Sequence, residues 1–259
     1  MQKKFLVILL SLIFFISGSV LGISVVYRVD EVTVRSSLVS QEAKAEAESL
    51  QKRLQEAYKK ESIFFTTDVA AKQILQDFPY FRLVGFEKDY PNRLVVNIVE
   101  DAEVYAVECE NGYYILGVDG MTLGLRDSHI NQLNGAENVI IKGVLVTAQN
   151  GNLPTGDEHF VNILNICKEI STLLGGIRSN VVRVEVFSKS PETIYRFTMR
   201  EGVKLYFGNP SVNVKEKAEV AVNKYMSLSY EEKLSGRIVI SDVRGEVFSS
   251  YSTKDEFSN

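Results

Sequence analysis

From Phe5 to Val26 the chain carries no charged side chain; the run is built from Leu, Ile, Val and Phe with a few Ser and Gly. Coiled as a helix it reaches roughly 30 Å, the thickness of a bilayer's hydrocarbon core. Lys3 and Lys4 stand just before it. Basic residues favour the cytoplasmic side, which places residues 1–4 inside the cell and Tyr27 onward outside. The expectation is a transmembrane helix over 5–26 and a single-pass protein with an extracytoplasmic remainder. A cleaved secretory signal is the competing reading, with Ser17, Gly18, Ser19 and Gly22 as small residues for a cleavage site. The apolar run continues past them through Ile23, Val25 and Val26, which favours the uncleaved anchor.

The remainder is long enough for one large or two ordinary domains, at roughly 100–150 residues each. Val29, Val32 and Val34 mark a strand, ended by Ser36 and Ser37. A helix is expected next, capped by Ser40, with Ala43, Ala47, Leu50, Leu54 and Tyr58 stepping by three and four. Thr67 or Asp68 caps a second helix, with Ala71, Ile74, Leu75 and Phe78 on one face and Pro79 as its stop. Strands Phe81–Lys88 and Arg93–Glu100 flank the turn residues 89–92. Past Glu100 the pattern changes to short strands, with a tight turn at Asp119-Gly120. A helix capped by Asp157 and stopped at Gly175-Gly176 follows, then a meander over 181–207. A last helix capped by Asn213 precedes strands Arg237–Val243 and Glu246–Tyr251, and the tail 252–259 reads as flexible.

Chemistry is sparsely provided. A net charge of −4 without a Lys/Arg cluster excludes the usual footprint of a nucleic-acid binder. His129 and His159, the only histidines, lack a metal-binding spacing and read as surface residues. The glycine-bearing stretch 143–156 lacks the G-K-[ST] ending of a phosphate cradle, and no G-x-S-x-G elbow occurs. Glu100 and Asp101 are neighbours on a strand and point to opposite faces, a poor acid pair. Cys109 and Cys167 are too few for a disulfide framework and too isolated for a metal pair, and a bridge between them stays open. No catalytic residue, cofactor, metal or small-molecule substrate is expected; protein partners are.

The stretch from Asp77 to Glu100, with Phe78-Pro79, the Tyr90-Pro91 turn and an apolar strand closing on Glu100, resembles the end of a POTRA domain. It is the form found in the bacterial cell-division proteins FtsQ and DivIB. Gly112–Leu116, Asp119-Gly120, Val139–Gly143 and Ile240–Arg244 follow in that family's order. Two positions depart from it: Glu100–Tyr105 replaces the family's Glu-Arg-x-Pro-Val-Ala, and Gly117 replaces the aspartate of its Leu-x-Asp hairpin.

The resemblance implies an α+β fold: an N-terminal transmembrane helix, a β-α-α-β-β POTRA domain at 27–101, then a larger mixed α/β domain with antiparallel sheet at 102–251. It implies a non-enzymatic membrane scaffold of the divisome, localised to the septum, whose partners are FtsB/DivIC and FtsL types. The family's last strands carry that contact. Here they supply Arg244, Glu246, Val247, Phe248, Ser249, Ser250 and Tyr251, with Arg244 alternatively paired to Asp242 or Glu246. A polypeptide-handling or secretion factor, and an extracytoplasmic wall hydrolase, are the competing functions.

Overall fold

The computed structural model describes residues 15, 26–38, 41–131, 135–189 and 192–254. The chain divides into two compact units, Met1–Asp101 and Ala102–Asn259.

The first unit runs β1 (Glu31–Ser37), α1 (Gln41–Tyr58), α2 (Val69–Leu75), β2 (Phe81–Asp89) and β3 (Arg93–Glu100). Its sheet has the order β1-β3-β2, with β3 parallel to β1 and antiparallel to β2. The middle strand β3 turns Leu94, Val96 and Ile98 into the core, while on its other face Val95 is buried between the flanking strands and Asn97 and Val99 are half-buried. The stripe Ala43, Leu50, Leu54 and Tyr58 of α1 is buried in the same core as Val32 and Ile98. Tyr58 also ties the two helices together. Its hydroxyl donates to the Thr67 carbonyl at 2.7 Å and accepts from Ala71 N–H at 2.9 Å, so a buried phenol loses no hydrogen bond.

The second unit runs β4 (Tyr105–Cys109), β5 (Gly112–Leu116), β6 (Thr122–Arg126), β7 (Val139–Lys142), α3 (Glu158–Leu174), β8 (Val181–Lys189), β9 (Glu192–Met199) and β10 (Lys204–Gly208). Then come α4 (Val214–Ser227), α5 (Tyr230–Lys233), β11 (Arg237–Val243) and β12 (Glu246–Ser252). Among the described residues these form a nine-stranded sheet of order β12-β11-β10-β9-β8-β7-β4-β5-β6. Phe160, Ile163 and Ile170 of α3 and Ala218, Ala221 and Tyr225 of α4 share one core with Val139, Ile141, Leu205, Phe207, Ile238 and Ile240. Asp157 starts α3 by accepting from His159 N–H at 2.8 Å, and Gly175 at φ 75° ends it.

Three expectations are corrected. Where a transmembrane helix was expected, no helix among the described residues is long and apolar enough to cross a membrane. The run 5–26, apart from Phe15 and Val26, lies outside the described residues, as do Ser40 and the tail residues 255–259. The large sheet is mixed, not antiparallel: β4 with β7, β7 with β8 and β10 with β11 run parallel. A helical crossover returns the chain to the end of the sheet it left. Thus α3 between β7 and β8, and α4 between β10 and β11, enforce parallel pairs that a strand-by-strand reading misses. Finally, α2 stops at Leu75, and reverse turns rather than helix carry the chain to Phe78.

Candidate partner-binding edge

The last two strands form a hairpin at one end of the large sheet. Val243 pairs with Glu246, which leaves Arg244 and Gly245 as a two-residue turn. Their φ angles are 55° and 86°, the combination that type I′ hairpin turns require. Gly245 accepts it freely, whereas a side chain in that region costs about 1 kcal/mol. Arg244 is exposed and enters no ion pair among the described residues.

Asp242, the partner considered for Arg244 from sequence, is occupied elsewhere. Its Oδ1 accepts from Gly245 N–H at 3.1 Å and its Oδ2 from Asn213 Nδ2 at 2.7 Å. Asn213, expected as a helix cap, has φ 52° and makes no cap bond; its amide fastens the turn to the loop before α4. One turn into α4, Lys217 is 1% exposed. Its ammonium donates to the Gly208 and Asn209 carbonyls at 3.0 and 2.7 Å. Burial lowers the Lys217 pKa, and the Asp242 carboxylate opposes that shift.

Along β12 the side chains alternate. Val247, Ser249 and Tyr251 are half-buried, and Val247 and Tyr251 pack on the core. Tyr251 donates its hydroxyl to the Glu232 carbonyl at 3.2 Å. Glu232 is itself fixed by a capping box with Ser229. A Cβ on Gly236 would lie 2.6 Å from the Ser252 carbonyl oxygen, and Gly236 sits at φ 86°, so only glycine lets the end of β12 close down there. Glu246, Phe248 and Ser250 point the other way and are exposed, Phe248 at 50%. Val243, 52% exposed, lies diagonally across the ladder from Phe248 on the same face.

The seven sequence-predicted residues therefore divide. Arg244, Glu246, Phe248 and Ser250 are presented outward, while Val247 and Tyr251 anchor the strand, with Ser249 between them. Sequence reasoning missed Val243, and it missed Asp242, Asn213, Lys217 and Gly236 as supports. A φ above zero at a non-glycine residue leaves no periodic signal, so only the Arg-Gly dipeptide could have pointed to the turn. Because β12 ends the sheet order, the side of its backbone facing away from β11 has no strand beside it among the described residues.

The other candidates lie apart from this edge. His159, read as a surface residue, is half-buried, with Nδ1 2.9 Å from the hydroxyl of buried Tyr195. Burial pushes the Tyr195 pKa up to about 12. His129 stacks edge-on with Tyr113 at 5.4 Å between ring centroids. Cys109 and Cys167 are free thiols, and burial pushes that of Cys167 up. Among the described residues no three His, Cys, Asp or Glu side chains are placed to hold a metal ion. No protein-family model matches the chain, and none of the curated proteins matches it.

Proposed function

We propose that the protein is a non-enzymatic scaffold of the bacterial cell-division machinery that holds a partner by strand addition to β12. The observation that carries this reading is the edge itself. It is a seven-residue strand paired to β11 on one side only among the described residues, with Phe248 and Val243 exposed on one face and an exposed arginine without an ion pair at its turn. Backbone pairing supplies affinity with little sequence preference, and flanking side chains supply the choice of partner. A fitting partner is an extended segment with an apolar side chain opposite Phe248 and a carboxylate within reach of Arg244.

The resemblance of Asp77–Glu100 and Ile240–Arg244 to FtsQ and DivIB names the class of such partners, the FtsB/DivIC and FtsL type. In this reading the work lies at the outer face of the cell membrane and at the septum, and no nucleic acid and no small-molecule substrate is engaged.

The test is a pull-down of a DivIC-type partner. Deleting 245–259 also strips Val247 and Tyr251 from the core, so outward substitutions are cleaner. Phe248→Ala and Arg244→Glu are each expected to weaken binding by about tenfold, the size of a modest hot spot, with an unchanged circular dichroism spectrum. Full binding by the double variant overturns the reading. Independently, a fluorescent tag on the N-terminus is expected at midcell in dividing cells; uniform membrane label argues against a division role.

A further inference from the structure

At one end of the first unit, aromatic and basic side chains converge on the point where the uncharged run stops. Tyr27, the first residue after that run, packs its ring 4.8 Å from Phe64 and 6.4 Å from Tyr90, and Phe64 lies 5.8 Å from Tyr90. The group is not a satisfied core: Phe64 is 49%, Tyr90 54% and Phe65 85% exposed. Leaving a phenylalanine in water forgoes about 2 kcal/mol of burial.

The display is built, not frayed. Phe65 N–H and Thr66 N–H both donate to the Ser62 carbonyl, at 3.0 and 3.2 Å. The buried Thr66 hydroxyl donates to the Ile63 carbonyl at 2.9 Å, and Lys88 Nζ donates to the Phe64 carbonyl at 3.0 Å. A tight turn with its polar groups satisfied thus holds two rings outward.

Beside them is a cavity of about 520 Å³ lined by Val26, Arg28, Asp30, Lys59, Lys60 and Asn92, among others. Arg28, Lys59 and Lys60 are exposed and enter no ion pair among the described residues. Arg93, by contrast, takes up Glu31 at 3.3 Å and Asp89 at 3.6 Å. Among the residues that line the cavity, Arg28, Lys59 and Lys60 stand against Asp30, so the lining is net cationic.

We infer that this end of the first unit is a membrane-contact surface: Phe64, Phe65 and Tyr90 enter the interfacial layer, and the Arg28/Lys59/Lys60 cavity seats the phosphate of an anionic lipid. Amphipathic rings settle at headgroup depth, and each basic residue near an anionic surface adds about 1 kcal/mol. The continuity of the patch with Val26, where the uncharged run ends, identifies a bilayer as the occupant. The inference rests on the membrane location proposed above.

The chain contains no tryptophan, so a single introduced one reports its own depth. Full-length chain carrying Phe65→Trp is mixed with phosphatidylglycerol vesicles containing brominated acyl chains. Val84→Trp, exposed on β2 and about 20 Å along the strand from Tyr90, is the control in the same unit. All substituted positions are exposed, and circular dichroism checks the fold. The expected result is a blue shift and at least threefold stronger quenching for the residue 65 reporter than for the residue 84 reporter. That difference should fall at least twofold in phosphatidylcholine vesicles or with Lys59→Glu/Lys60→Glu. Chain that floats with vesicles yet shows equal quenching at both positions overturns the surface and leaves the membrane location standing. Chain that does not float with vesicles ends both. A shift produced equally by soluble glycerol phosphate overturns the lipid assignment in favour of a free anion.

Discussion

Arg244 occupies a position where glycine or asparagine would be more comfortable, and nothing within the described chain compensates it. In the proposed reading that cost is set against the contact Arg244 makes with the partner. Arg244→Asn is expected to stabilise the protein by about 0.5–1 kcal/mol in urea unfolding while weakening the partner complex. A loss of stability would show that the arginine serves the fold. Lys217 makes the opposite case, a charge held inside. Its pKa is lowered from the ordinary 10.5, so the unfolded chain binds the proton more tightly than the folded one. Stability contributed by this group therefore rises as pH climbs from the depressed value to 10.5 and is flat below it. Subtracting a Lys217→Met variant from the wild type across that window isolates the slope; a difference that falls with pH would contradict the burial argument.

The hairpin of β11 and β12 is the element on which the functional reading turns, and Gly236 sets how it closes. Gly236→Ala must displace the Ser252 carbonyl or the Tyr251 ring, and its φ of 86° is strained for alanine. The expected cost is about 1–3 kcal/mol, with amide exchange accelerated in β12 before the rest of the sheet. Individual elements were legible where one periodicity dominates. The 3.6-residue stripe located Gln41–Tyr58, and alternation with a glycine turn located β5, β6, β9 and β10. Asp157 and Gly175 bracketed α3 because both caps act through the local backbone. What stayed hidden was non-local. Neither the parallel pairs created by α3 and α4, nor the diversion of Asn213 to Asp242, leaves a mark in any short window of sequence. At the candidate edge the chain showed an exposed strand but not which of its faces serves the core, since Val247, Phe248 and Tyr251 are all apolar or aromatic.

At the scale of the molecule the two units own separate cores, one spanning Val29 to Ile98 and the other Val104 to Ile240, with no residue in common. Leu50→Ala is expected to lower the stability of the first unit by about 2–5 kcal/mol. It should leave the slow-exchanging amides of β8 and β9 protected, and Phe197→Ala should give the reverse pattern. Equal loss in both units from either substitution would show a single cooperative block. The terminal place of β12 has one more consequence. An edge that welcomes a foreign strand offers the same backbone to a second copy of itself, antiparallel across a two-fold axis. Glu246 would then recur once on each side of that axis, and the polar run Ser249, Ser250 and Ser252 gives the seam little apolar grip. Self-pairing should therefore be weak, visible by sedimentation only at high concentration, and dissolved when the cognate segment arrives.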